Sequence, residues 1–132
     1  MRITPDTNIL VRVIVEDDLE QTKAAEHILA RAEIVAITLP ALCEFGWVLS
    51  RGYKAPSGEV AEAIRRLVNG GNVVANRAAI DAGLDLLENG GDFADGVIAY
   101  EGRWLGGETF ATFDKRAAKL LSDQGRKTHV PA

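Results

Sequence analysis

Three carboxylates stand close together in the second half of the chain, in two short segments. Asp92 and Asp95 precede an apolar run. Asp114 directly follows residues 109–113. The intervening pattern predicts a helix over residues 96–105, a glycine stop and a short strand that ends at the third acid. Carboxylates at the carboxyl ends of strands lie where α/β proteins bind ligands and metal ions. The spacing therefore indicates a cation-binding or catalytic site.

Two further acids lie in the first half of the chain, and each has a plain structural alternative to a site role. Asp6 ends the first predicted strand and begins a helix, where aspartate is a good N-cap. Glu44 is the only charged residue between positions 34 and 49, so we expect it to be buried. A buried carboxylate needs a partner, here either a metal ion or an arginine such as Arg51.

The pair Asp92 and Asp95 also fits a variant of the capping box, with the N-cap first and the other acid at the third helical position. We assign Asp92 mainly to capping. Apolar residues surround Asp95 in the sequence, so we assign Asp95 mainly to the site. Thr112, one alternation before Asp114, is expected to point to the same side as that acid and to share a ligand with it.

Strand and helix patterns alternate along the whole chain. This alternation predicts the α/β class, as a three-layer α/β/α sandwich with a mainly parallel sheet of about five strands. At this length we expect one domain, residues 1–132. Strands are predicted at residues 1–6, 34–37, 72–75, 109–113 and 127–130, and helices at 9–15, 17–32, 41–50, 56–68, 78–87, 96–105 and 115–123.

Four acids are expected to meet at one edge of this sheet, because the ends of parallel strands share an edge. Four carboxylates in one pocket repel one another unless cations lie between them. Oxygen-only ligands select Mg²⁺ or Mn²⁺ rather than Zn²⁺. Cys43 is expected to be a small core residue, and Trp47 and Trp104 are expected in the core. The four acids of the predicted site are Asp6, Glu44, Asp95 and Asp114.

Composition sets outer limits on function. The chain of 132 residues is 47% hydrophobic and 26% charged, which is ordinary for a globular protein. One cysteine fits a reducing compartment, and no apolar run is long enough to span a bilayer, so we expect a cytoplasmic protein without a membrane partner. The net charge of −4 does not by itself indicate nucleic-acid binding, but bound divalent cations would reverse the local sign of an acidic pocket.

In order and spacing, these segments resemble the PIN-domain family, and the resemblance covers almost the whole chain. It is carried by Asp6–Thr7–Asn8, by Glu44 in an apolar helix, by residues 92–95 and by residues 112–114. The chain length is similar to that of the VapC-type toxins of toxin–antitoxin modules. Pro5 departs from the family pattern, which more often has an apolar strand residue there. The resemblance implies that the four acids are catalytic metal ligands, supported by Thr7, Asn8, Asp92 and Thr112.

The implied activity is a Mg²⁺- or Mn²⁺-dependent endoribonuclease whose partners are an RNA substrate and a cognate antitoxin protein. Basic residues near the rim would hold the RNA. A homodimer is expected, because members of the family form dimers and because the helices at 41–50 and 56–68 carry much apolar surface. The apolar residues of those helices are Trp47, Val60, Ile64 and Leu67, and the candidate RNA-binding residues are Arg12, Arg51, Lys54, Lys115 and Arg116.

Three alternatives stay open from the residues. A receiver-like signalling module would have an acid pair after the first strand and a lysine after the last core strand, whereas the first strand here offers one acid. A phosphohydrolase with an aspartyl nucleophile needs two aspartates two residues apart, but position 8 is Asn8. The third alternative is a catalytically silent PIN-fold protein that acts only as a binding partner.

Overall fold

The computed structural model describes all 132 residues as five short strands and seven helices in alternation. The strands are β1 (Arg2–Ile3), β2 (Ile34–Ala36), β3 (Val73–Val74), β4 (Thr109–Ala111) and β5 (Lys127–His129). The helices are α1 (Thr7–Ile14), α2 (Leu19–Arg31), α3 (Leu39–Trp47), α4 (Ser57–Val68), α5 (Arg77–Glu88), α6 (Phe93–Trp104) and α7 (Lys115–Asp123), and a π-helical turn at Val48–Gly52 follows α3. Every predicted element is present, with bounds that differ by a few residues.

The chain divides into two compact units, Met1–Asn76 and Arg77–Ala132. In the first unit, β1, β2 and β3 form a parallel sheet with β2 in the centre. Its core is built from one apolar face of each helix, including Leu10 of α1 and Ile64 of α4. The Asn72 side chain donates to the backbone oxygens of Leu29 and Ala32, at 2.8 and 2.9 Å, and so ties the end of α2 to the start of β3.

In the second unit, β4 and β5 form a parallel pair, and α5, α6 and α7 bury their apolar faces. Ile80, Leu84 and Leu87 of α5 are buried, as their helical spacing predicts. Phe110 of β4 packs against a cluster that contains Leu121 of α7.

The predicted α/β class with parallel strands is confirmed, but the five strands pair as a sheet of three and a sheet of two. Each strand is only two or three residues long, so the ladders contain few hydrogen bonds. Most of the buried apolar surface therefore comes from the helices. None of the helices combines the length and the apolar character that crossing a bilayer requires.

The expected positions of the large apolar side chains are partly wrong. Trp47 and Trp104 are not in the core, since 58% and 78% of their surfaces are exposed. Val60, Ile64 and Leu67, which suggested an uncovered surface on α4, are buried. Their spacing places them on one face of α4, and that face is turned into the core. The apolar argument for a dimer surface on α4 is therefore wrong.

The first turn of α6 is positioned by a close approach to α5. A Cβ atom added to Gly96 would lie 2.6 Å from the backbone oxygen of Ala82 and 2.8 Å from the Cα of Gly83. A Cβ atom added to Gly83 would in turn lie 2.7 Å from the ring of Phe93. Only glycine permits the backbones to approach this closely, so Gly83 and Gly96 fix the position of the first turn of α6 against α5.

We expect Gly96→Ala to lower the free energy of unfolding by about 1–3 kcal/mol, because overpacking outweighs the better helix propensity of alanine. The control is Gly102→Ala in the same helix, where an added Cβ would meet nothing within 4 Å. That substitution should stabilise the protein by roughly 0.5–1 kcal/mol. Denaturant unfolding measures both changes, and equal effects of the two substitutions would contradict the close-approach account.

Candidate active site

In the first unit, Asp6 is the N-cap of α1. The chain leaves β1, passes the buried Pro5 and begins the helix at Thr7. The backbone N–H of Ile9 donates to Oδ1 of Asp6 at 3.1 Å. This bond uses one oxygen of an exposed carboxylate, so Oδ2 stays available for another ligand. Asn8 follows in the first turn of α1 and is exposed.

Glu44 is exposed, so its predicted burial is wrong. The inner face of α3 carries Leu42 and Phe45, whereas Glu44 lies on the outer face with Pro40 and Trp47. The outer positions are four and then three residues apart, which is the repeat of one helix face. The apolar surroundings in the sequence were a poor guide because they describe neighbours along the chain rather than neighbours on the helix.

Arg12, a candidate for RNA binding, is engaged in a network within the first unit. One terminal guanidinium nitrogen donates to Asp17 at 2.6 Å, and the Tyr53 hydroxyl donates to the same carboxylate at 3.2 Å. The backbone oxygen of Arg12 accepts from the Thr22 hydroxyl at 2.9 Å. The charge of Arg12 is thus opposed locally, whereas Arg51 is exposed to solvent.

In the second unit, Asp92 caps α6 and Asp95 follows in its first turn. The backbone N–H of Ala94 donates to Oδ1 of Asp92 at 3.3 Å. Asp95 is half-buried beside the buried Phe93. Burial raises the pKa of Asp95 above its usual range, and the negative charges of Asp92 and Asp114 raise the pKa further. The structure therefore brings three of the predicted acids near one another in this unit.

Asp114 is held more tightly than the other caps. Its Oδ1 accepts from the backbone N–H groups of Arg116 and Ala117, at 2.9 and 3.1 Å. Its own backbone N–H donates to the Thr112 hydroxyl at 3.0 Å, so Thr112 helps to hold the backbone of Asp114. Lys115 and Arg116 are exposed in the first turn of α7. Cations in this turn oppose the helix dipole, and a bound anion would offset that cost.

Phe113 was not singled out in the sequence, although it stands directly before Asp114. Its ring is 81% exposed. Phe110 lies within β4 and packs inward, whereas Phe113 lies beyond the end of β4, in the bend that leads to Asp114. The strand does not extend to this bend, so the sequence carried no local signal for the exposure of Phe113.

The acids fit a hard divalent cation by their chemistry. Carboxylate oxygens are the donors that Mg²⁺ and Mn²⁺ select. A cation beside Asp95 would offset the repulsion from Asp92 and Asp114 that raises the pKa of Asp95. The side chains do not form a closed cage, because no three His, Cys, Asp or Glu residues lie at coordinating distances from a common point.

Comparison with known proteins agrees with this class of fold and site. The profile of the PIN domain matches residues 3–121, which is most of the chain and includes parts of both units. This chain therefore belongs to the PIN-domain family. PIN domains are generally metal-dependent nucleases. A search of curated proteins found no match to the chain.

Asp95→Asn should stabilise the protein at neutral pH. Because the pKa of Asp95 is higher in the folded than in the unfolded protein, stability falls as the pH rises from the unfolded towards the folded pKa. The penalty is complete above the folded pKa and absent below the unfolded pKa of about 3.9. We expect Tm to rise by a few degrees at pH 7 and the gain to vanish near pH 3.

The matched control is Asp81→Asn, which replaces an exposed aspartate on α5 of the same unit. Thermal unfolding of both variants across this pH range separates the local removal of the Asp95 charge from the general effect of a less negative net charge. An increase in Tm of the same size at both pH values, or in both variants, would contradict the raised pKa of Asp95.

Proposed function

We propose that this protein is a Mg²⁺- or Mn²⁺-dependent endoribonuclease. The observation that carries the proposal is Asp95, a half-buried carboxylate whose pKa is raised by burial and by two neighbouring acids. A protein that needed only folding stability would gain by placing an amide there. The arrangement becomes favourable when a cation is present, and the family supplies the class of reaction.

Four acids are proposed as catalytic metal ligands, with Asp6 and Asp95 as direct ligands and Glu44 and Asp114 completing the set directly or through water. Asp95 and Asp114 are supported by their placement in the second unit. Asp6 and Glu44 are included because they match the family pattern. Since that pattern extends across both units, we also propose that residues 1–132 act as one PIN-like domain.

When bound, the metal ion would supply an activated water and would stabilise the charge that develops during phosphodiester hydrolysis. The residues of the chain orient the reacting groups. Two backbone N–H groups fix the orientation of the Asp114 carboxylate, and the Thr112 hydroxyl accepts from the Asp114 backbone N–H. Lys115 and Arg116 place positive charge in the first turn of α7, where RNA phosphates would be attracted. The exposed Phe113, which directly precedes Asp114 in the chain, offers an aromatic surface for a base.

The proposal includes the biological setting implied by the resemblance. The protein would be a cytoplasmic VapC-type toxin, controlled by an antitoxin that covers the catalytic acids, and it would act as a homodimer. Positive charge on exposed Arg51 and Lys54 would add to the RNA contacts. The exposed Trp47 on α3, rather than the buried face of α4, offers apolar surface to a partner.

Family membership argues against the receiver-like module and the aspartyl phosphohydrolase. The remaining alternative is a silent PIN-fold binding partner. Purified protein should cleave RNA with Mg²⁺ or Mn²⁺ and stop when EDTA is added. Asp95→Asn, Glu44→Gln and Asp114→Asn should each lower the rate by orders of magnitude, because they remove charge that holds the cation.

Asparagine is also a good N-cap, so Asp114→Asn tests charge while preserving the start of α7. Asp81→Asn should cleave RNA at the wild-type rate. Equal cleavage by the wild type and Asp95→Asn would identify the activity as a contaminant and would favour the silent partner.

Metal binding can be measured without RNA. Calorimetric titration with Mn²⁺ should detect binding to the wild type that is lost in Asp6→Asn and in Asp95→Asn, because each substitution removes a negatively charged oxygen ligand. Asp81→Asn again serves as the control. Unchanged Mn²⁺ affinity in the first two variants would remove both residues from the proposed site.

A further inference from the structure

An open groove lies at the carboxyl end of α6, away from the acids at its first turn. One part is a cavity of about 420 Å³ lined by Tyr100, Arg103, Trp104 and Arg126. A second cavity of about 350 Å³ also borders Arg103 and Arg126 and extends to Lys127 and Glu108. The shared arginines make the two cavities one surface, with aromatic rings at one end and three cations and one carboxylate along it.

The residues of α6 in this groove share one helix face. Tyr100, Arg103 and Trp104 are three and four residues apart, which is the spacing of neighbours on a helix surface. The rings of Tyr100 and Trp104 lie 6.5 Å apart at an angle of 59°. This contact orients an indole ring that is otherwise exposed to solvent.

Arg126 is brought to the groove by the end of α7. Gly125 has φ +86°, and the backbone N–H of Arg126 donates to the Leu121 oxygen at 3.0 Å. This is the glycine stop that commonly ends a helix. The Arg126 guanidinium then donates to the Ala99 backbone oxygen at 2.7 Å. One of its five N–H donors is used in this bond, so a fixed guanidinium offers the rest to a ligand.

We propose that this groove binds single-stranded RNA, with a base stacked on Trp104 and phosphates on Arg103, Arg126 and Lys127. Exposed aromatic rings beside cations are the combination that single-stranded nucleic-acid sites use. Guanidinium groups match phosphate oxygens two at a time. Lys127 pairs with Glu108 at 3.5 Å, but both side chains are exposed, and such pairs yield readily to a phosphate.

Two other occupants are less well matched. An acidic peptide would use the arginines but leave the face of Trp104 without a partner. In a two-fold dimer with this groove at the axis, the groove would face its own copy, so arginines would meet arginines. Charge complementarity therefore favours a polyanion that also carries flat rings.

The groove and the acids lie at opposite ends of one helix. Trp104 follows Asp95 by nine positions, which corresponds to about 13–14 Å along α6. A stacked strand advances about 3.4 Å per nucleotide, so the groove would hold RNA roughly four nucleotides from the acids. This placement rests on the proposed nuclease function, whereas RNA binding in the groove does not require cleavage.

Binding is tested in EDTA, where no cleavage occurs. In a Trp47→Phe background, Trp104 is the only tryptophan, and its fluorescence should be quenched by a single-stranded RNA of about ten nucleotides. Anisotropy of labelled RNA should show affinity about tenfold weaker for Trp104→Ala and near wild type for Trp104→Phe, which keeps a stacking surface.

Arg103→Gln should weaken binding and reduce the slope of log affinity against log salt by about one. Lys119→Ala removes an exposed cation of α7 that pairs with Asp123. Its effects on the RNA affinity and on the salt slope should both be smaller than those of Arg103→Gln. Unquenched Trp104, or unchanged affinity in both Trp104→Ala and Arg103→Gln, would overturn the proposal. A change of oligomeric state in Trp104→Ala by light scattering, without loss of RNA affinity, would also overturn it.

Cleavage measurements separate this inference from the proposed function. If the wild type binds RNA through Trp104 but never cleaves it, the nuclease proposal is wrong and RNA binding in the groove is supported. If the protein cleaves RNA and Trp104→Ala has the wild-type KM on a ten-nucleotide substrate, RNA binding in the groove is wrong and the nuclease proposal is supported. When both hold, Trp104→Ala should raise KM on the ten-nucleotide substrate and leave a dinucleotide substrate unaffected.

Discussion

The close approach of α5 and α6 is the constraint on which the candidate site in the second unit depends. Gly83 and Gly96 allow the two backbones to approach closely, so the first turn of α6 lies where side chains would otherwise separate the helices. Asp95 is in that turn and becomes half-buried. Its carboxylate loses solvent and faces the charges of Asp92 and Asp114, which raises its pKa. A packing feature thus sets the electrostatic environment of Asp95.

Capping and catalysis are compatible roles for the acids. Asp6, Asp92 and Asp114 each accept backbone N–H groups at the start of a helix. A capped carboxylate is held in one orientation by the backbone N–H groups that it accepts from. The bonds to Asp6 and to Asp114 use one oxygen, and the other can contact a cation. The interpretation of these residues as caps was therefore correct without being an argument against a site.

The helix α6 carries different chemistry at its two ends. Its first turn holds carboxylates, and its last turns present Tyr100, Arg103 and Trp104. An acidic protein can still hold a polyanion when the negative charges collect around a cation and the arginines collect elsewhere. The net charge of −4 is consequently compatible with the proposed binding of RNA. The proposed binding depends instead on the separation of the carboxylates from the arginines along α6.

The sequence alone determined the order and type of the elements, the α/β class and the acids that begin the helices. These properties are local: they depend on apolar period, on caps and on glycine stops such as Gly125. The same information predicted Lys115–Asp123 as a helix with the observed bounds. The tertiary structure decided which helix face is inward, and this exposed Glu44, Trp47 and Trp104 while burying the apolar face of α4. It also decided the pairing of strands into two sheets and the contact of Arg126 with Ala99. Those outcomes depend on contacts between residues distant in the chain, and a local pattern does not specify which partner will approach.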